Sequence, residues 1–342
     1  MSRERKLPVD TLIEEKVGSL AELENIPLPE KLSLLLPNGG LLSLAEGTLL
    51  GTEGKVIITR GLSDPSIHTV AERCGTGYEL FIVSREGSAD WAVHMLSYLM
   101  EWELTAKIDL FGRIMEMGEV TIENLPLHHD NPALNSVLIT SPWEAKSSED
   151  GQIMLLAVTL IFEDEMRWAL RYGRDHLSTL LKESGIGIAS DRRRHSVLTI
   201  PASNERLTAL QMQGWYRKLN ESGIPQYILE EVMNQYVDDW DSIVLRVDNS
   251  QNSQLLIARS TSLHGSHGEV AVEWREGDPP PRFGDHLLDD FPAAVAELAN
   301  LMGIVAARPG TLEDGVWKQV EMRISKNNEG RYKLDWEFGY PQ

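Results

Sequence analysis

Arg331–Tyr340 alternates without exception. Tyr332, Leu334, Trp336, Phe338 and Tyr340 fall on one side, and Arg331, Lys333, Asp335, Glu337 and Gly339 on the other. Strand side chains point to opposite faces in turn, so this period commits the segment to a sheet with one dry and one wet face. Val316–Ile324 carries a matching pattern, with Val316, Val320, Met322 and Ile324 on one side and Lys318 as the exception. Turned by Ser325–Gly330, the two runs predict an antiparallel hairpin whose apolar face needs a cover. His286–Met302 supplies one, a helix with Leu287, Leu288, Phe291, Ala294, Val295, Leu298 and Met302 on its apolar side. Ahead of it lie strands at Ser242–Val247, Gln254–Ser260 and Glu269–Arg275, a break at Asp278–Pro281, and helices at Asn204–Asn220 and Tyr227–Val237. The pattern predicts a small α+β domain ending in an antiparallel hairpin.

The first half reads differently. Strand patterns at Lys55–Thr59, Tyr78–Ser84, Ile108–Met115, Ser136–Thr140 and Ile153–Ile161 alternate irregularly with helices. One helix is Asp90–Leu104, where Trp91, Met95, Tyr98, Leu99 and Trp102 recur at helical spacing. A second is Glu163–Leu181, with Met166, Ala169, Leu170, Leu177, Leu180 and Leu181 on one face and Gly185 beyond its end. Residues 8–36 read as one or two short helices, and Ser196–Ile200 as a linker or late strand. This predicts an α/β domain over 1–200 (core 55–197) and the α+β domain over 201–342, with the boundary between about 195 and 225.

The formal net charge is −20: 19 Lys+Arg stand against 30 Asp+Glu up to residue 204, and 13 against 22 from residue 205 onward. Such a chain repels phosphate backbones, which disfavours nucleic acid. It favours a basic protein partner, although acidity alone also serves solubility. The single cysteine, Cys74, rules out an intrachain disulfide and fits a reducing compartment. The charged start Met1–Lys6 has no apolar run behind it, unlike a signal peptide. The most apolar run, Ile153–Phe162, is roughly half the length of a spanning helix. The expectation is a cytoplasmic protein without membrane contact.

Catalytic patterns fail one by one. Gly51–Lys55 lacks the spacer and the hydroxyl residue of a phosphate loop, and Gly75-Thr76-Gly77 precedes a strand where a dinucleotide fingerprint follows one. His128-His129-Asp130 and His264/His267 read as loop residues, and one cysteine excludes cysteine-rich zinc sites. There is no nucleophile elbow; Ser63 reads as a turn cap. The pairs Asp238-Asp239 with Asp241, and Asp289-Asp290, read as a solvated acidic rim. No catalytic residue, cofactor or metal is expected. Asp238, Asp239, Asp241, Asp285, Asp289 and Asp290 are the candidate surface for steering a partner. The nine tryptophans read mainly as core.

Arg60–Leu181 resembles the suppressor-of-fused domain. The carrying residues are Gly61-Leu62-Ser63, then Gly75-Thr76-Gly77-Tyr78-Glu79-Leu80, the Trp91-led helix, Leu155–Val158 leading into Glu165-Met166, and Gly185–Val197. Two features depart from the family: its helix-capping threonine is replaced near Phe162, leaving Asp164 as the expected cap, and the segment before residue 60 matches poorly. The resemblance implies a mixed sheet with flanking helices that works by binding another protein. In animals the family holds a transcription factor; bacterial members are associated with polymorphic toxin systems as immunity proteins. The terminal hairpin around Trp317 and Leu334–Phe338 also resembles that of another small immunity family, which implies tandem immunity-type domains. Two alternatives stand beside this: a regulatory scaffold sequestering a cytoplasmic factor, or an enzyme of unrecognised type using His128, His129 or Cys74 in a cleft between the halves.

Overall fold

In the computed structural model Tyr78–Ser84, a run without alternation, lies in mid-sheet with every side chain buried. A strand covered on both faces has no wet side to encode. The structure describes the chain except residues 1–8, 19–22, 37–39, 64–76, 87–88, 106–108, 126–130, 145, 149–150, 201–203, 234–239, 250–252, 262–266, 284–285, 305–307, 309, 312, 314, 328 and 342. It divides into two units, Met1–Ser203 and Asn204–Gln342.

The first unit runs α1 (Asp10–Lys16), β1 (Glu24–Ile26), α2 (Glu30–Leu35), β2 (Leu41–Leu49), β3 (Thr52–Arg60), β4 (Tyr78–Ser84), α3 (Asp90–Leu104), α4 (Leu110–Met117), β5 (Glu119–Ile122) and β6 (Ser136–Thr140). It continues with β7 (Lys146–Ser148), β8 (Gly151–Ile161), α5 (Glu163–Tyr172), α6 (Arg174–Glu183) and β9 (Ala189–Ser190). Its sheet has the order β1-β2-β3-β4-β8-β6-β5, with β7 on β8 and β9 on β4. It is mixed: β4 runs parallel to β8 and β9, while the remaining pairings are antiparallel. Leu80, Ile82, Leu156 and Val158 join one core with Met95, Leu96 and Leu99 of α3. Phe81, Val83, Leu155 and Ala157 join another with Leu12 and Ile13 of α1.

The second unit runs α7 (Asn204–Glu221), α8 (Ile224–Met233), β10 (Ser242–Asp248), β11 (Ser253–Thr261), β12 (His267–Arg275), β13 (Arg282–Phe283), β14 (His286–Leu287), α9 (Phe291–Ile304), β15 (Gln319–Lys326) and β16 (Tyr332–Gly339). Five strands form one antiparallel sheet in the order β12-β11-β10-β15-β16. Trp215 of α7 packs on Phe338, ring centroids 4.7 Å apart, and Trp336 donates Nε1–H to Asn220 Oδ1 at 2.9 Å. Phe291 of α9 meets Trp274 of β12 edge-on. This is the mixed α/β unit and the α+β unit with a terminal hairpin that the patterns predict.

Several elements differ from expectation, each for a local reason. Ile108–Met115 is no strand: Asp109 caps Gly112 N at 2.9 Å and opens α4, which buries Leu110 and Ile114 at helical spacing. Glu163–Leu181 is two helices, because Gly173 (φ 120°) breaks the turn between α5 and α6. The break resets the phase, so α5 buries Trp168 and Tyr172 and leaves Leu170 46% exposed. Ser196–Ile200 holds a 3-10 turn, Val197–Thr199, capped by Ser196. Helix α9 starts at Phe291 with Pro292 in its first turn, and Leu287 sits in β14. The contact to Phe338 of the hairpin comes from α7 and not from the 286–302 segment, whose Phe291 meets β12 instead. Val316 lies outside β15 and is 71% exposed. Strands β2, β5, β7, β9, β13 and β14 lie where the patterns predict no strand, and residues 8–36 hold β1 between two short helices.

Candidate functional site

Glu79 is fully buried on β4, yet it does not lack partners. Its Oε1 accepts from Gly61 N (2.8 Å), Ser63 N (2.9 Å) and Ser63 Oγ (2.8 Å), and its Oε2 from Thr59 Oγ1 (2.6 Å). Thr59 Oγ1 in turn accepts from Leu80 N. Gly61, at φ 130°, takes a backbone angle that suits glycine and lets the turn close over the carboxylate. Burial lifts the Glu79 carboxyl above its ordinary range, while these four donors pull it back. The Gly61-Leu62-Ser63 and Tyr78-Glu79-Leu80 motifs are thus one device: a carboxylate that pins the turn leaving β3.

A second buried carboxylate pins the other end of the domain. Glu165 bonds Phe162 N with Oε2 (2.9 Å) and Val197 N with Oε1 (2.8 Å), and receives both Arg194 terminal nitrogens at 2.6 Å. Arg194 also donates to Leu160 O and His195 O, and stacks over Phe162 at 4.9 Å. The residue that reaches back to the start of α5 is therefore Glu165, not Asp164, whose carboxylate bonds only Glu165 N among the hydrogen bonds resolved here. Arg192 forms a fork with Glu86 (Nη2–Oε2 2.7 Å) and lies over Trp91 at 5.7 Å. Arg193 is exposed beside Asp191. The basic run Arg192–Arg194 is thus largely consumed within the fold.

Of the six carboxylates singled out for steering, Asp241, Asp289 and Asp290 are among the described residues. Asp289 and Asp290 are exposed in the turn before α9, and with Glu231 they surround the Tyr227 hydroxyl of α8. Burial, then these three charges, raise that hydroxyl above its ordinary range. Asp241 is exposed at the start of β10. Asp238, Asp239 and Asp285 lie outside the described residues, as do His128, His129, His264 and Cys74. His267 opens β12. Six of the nine tryptophans are buried and Trp91, Trp102 and Trp143 are half-buried, which makes them core residues. Among the described residues no group of three or more His, Cys, Asp or Glu could hold a metal, and no helix is long and apolar enough to cross a membrane.

The turn-pinning carboxylate and the arginine-closed end bracket one stretch of chain, and a family match falls on that stretch. Residues 50–195 match the model of the suppressor of fused protein (SUFU) family. The matched segment starts in the turn between β2 and β3 and ends one residue past Arg194, so it contains Glu79 with its donors and Glu165 with Arg194, while Val197 lies just beyond it. It spans less than half of the chain. No curated protein matches. Solved structures are similar as well, among them two of suppressor of fused. The crystal structure of a Sufu–Fu complex is 14% identical, with TM-score 0.45, covering 61% of this chain and 98% of that one. Suppressor of Fused from Drosophila is 15% identical, with TM-score 0.40, covering 58% of each chain. Sequence reasoning found the SUFU motifs but not their job. The signal was present, since a Glu in an otherwise apolar strand must find donors or stay uncharged.

Proposed function

We propose that this chain is a non-catalytic, cytoplasmic protein-binding protein of the immunity type, which captures a basic protein domain. The observation that carries the reading is the SUFU match over residues 50–195, a family whose members act by binding other proteins. Two further observations support it. The motif carboxylates Glu79 and Glu165 spend their lone pairs on donors inside the fold, so they shape the domain and do not react. The net charge of −20 favours encounter with a partner of opposite sign. Asp241, Asp289 and Asp290 are exposed carboxylates suited to steering. A regulatory scaffold would use the same physics with a partner that is not a toxin.

The test is capture by the immobilised full chain of purified proteins encoded beside its gene. A basic partner should be retained at low salt and released as screening rises towards ~0.5 M. A variant carrying Asp241→Lys, Asp289→Lys and Asp290→Lys should associate more slowly, with a smaller salt dependence. Rescue of cells from the captured partner's toxicity supports the immunity reading. A harmless captured partner favours the scaffold. No retained neighbour overturns both.

A further inference from the structure

Edge strand β5 meets helix α6 across an unusual carboxyl. Glu119 opens β5, the last strand of the nine-stranded sheet, and pairs only with β6, where Thr140 stands opposite it. Its Oε2 is buried and accepts no hydrogen bond among the described residues. The Ser178 side chain of α6 bonds the carboxyl. Arg174, whose charge favours the ionised carboxyl, directs Nε to Thr121 Oγ1 at 3.1 Å and Nη1 to Met117 Sδ at 4.0 Å. Asp175, also in the first turn of α6, adds a like charge.

An ionised carboxylate with a buried, unbonded oxygen is costly, and a proton removes that cost. Arg174 gives little relief, because its Nε and Nη1 are directed to Thr121 and Met117. We propose that Glu119 is a proton-operated latch between β5 and α6: neutral, it lets the helix dock on the edge strand; ionised, it loosens that contact. Burial, followed by repulsion from Asp175, pushes the Glu119 carboxyl up to about 7, against the opposing pull of Ser178 and Arg174. The ionisable groups on the elements packed against β5 are Arg113 and Glu116 of α4 and Arg174, Asp175, His176, Lys182 and Glu183 of α6; β6 contributes none. His176 Nε2 lies 3.9 Å from Asp175 Oδ2, so the histidine is the control to substitute alongside Glu119.

The sign follows from linkage. Glu119 holds its proton more tightly folded than unfolded, so its contribution to stability is greatest below the ordinary carboxylate range. It falls as pH rises and stays low above about 7.

The experiment is amide hydrogen exchange on the full chain from about pH 5.5 to about pH 8.5, corrected for intrinsic exchange, read in peptides covering 119–122 and 174–183. Protection should fall roughly 10-fold up to neutrality and then level off, the ideal change being reduced because the group is partly solvated. Glu119→Gln should flatten the profile, and His176→Gln should leave the fall in place. A flat profile in the unaltered chain, the same fall in E119Q, or its disappearance in His176→Gln overturns the latch. If E119Q does not fold, carboxyl-carbon NMR of the unaltered chain decides: a Glu119 midpoint near neutrality supports the latch, and one in the ordinary carboxylate range overturns it.

Discussion

Both units place a buried glutamate against arginine, and they differ in how much water the arginine keeps. In the first unit Glu165 is fully buried and Arg194 is 7% exposed, so the pair has exchanged water for each other and for backbone groups. In the second unit Glu321, itself only 6% exposed, receives Arg246 and Arg323 at 2.7–2.8 Å from guanidinium groups about half in solvent, so there the arginines keep their water. The geometry is similar and the consequences are not, because an ion's cost is set by the water it loses. Removing Arg194 leaves Glu165 charged in a dry site. Arg194→Ala should therefore destabilise the first unit by about 3–5 kcal/mol, read as a lowered urea midpoint for exchange-protected amides in 50–195. A loss below about 1 kcal/mol would erase the distinction between the two pairs.

Glu79 tests the same contrast without an arginine. Its donors are two backbone N–H groups and two hydroxyls. Glu79→Gln keeps the shape but turns one oxygen into a donor among donors. The expected loss is about 1.5–3 kcal/mol, smaller than for Arg194→Ala because no bare charge is left behind. An unchanged midpoint would mean that the turn after β3 closes without the carboxylate.

The same difference in solvent governs what the sequence discloses. Strand β16 has one wet face, so its alternation could be read directly, down to the inward Trp336 and Phe338. Strands β4 and β8 are buried on both sides, and a run such as Tyr78–Ser84 marks a strand without naming its neighbours; the parallel β4–β8 pairing is a tertiary fact. Helix α4 was misread because Leu110 and Ile114 satisfy a period of two as well as a helical one, and only the Asp109 cap separates them. The Gly173 break was visible as a glycine but not as a change of phase, since glycine within a helix is often tolerated. At the candidate site the motif residues were legible and their partners were not. Nothing in Arg192–Arg194 says which arginine will meet Glu86, which Glu165 and which solvent.

The smallest effect sits on the wet face of the second sheet. Glu321 stands directly opposite Arg246 on β10 and Glu337 on β16, and the like-charged Glu321–Glu337 pair would by itself weaken the strand pairing. Burial pushes the Glu321 carboxyl up, but hydrogen bonds from Arg323 and Arg246 outweigh it and hold the group below its ordinary range. Its stabilisation is thus present above the unfolded carboxylate value and lost as pH falls through the folded one, opposite in sign to Glu119. Glu321→Gln should cost at most about 1 kcal/mol at neutral pH, since both arginines remain solvated. It should also abolish the acid-dependent part of the exchange protection in β10, β15 and β16. A cost above about 2 kcal/mol would mean that solvated arginines do not lessen the cost of the buried Glu321, and would remove the contrast between the two pairs.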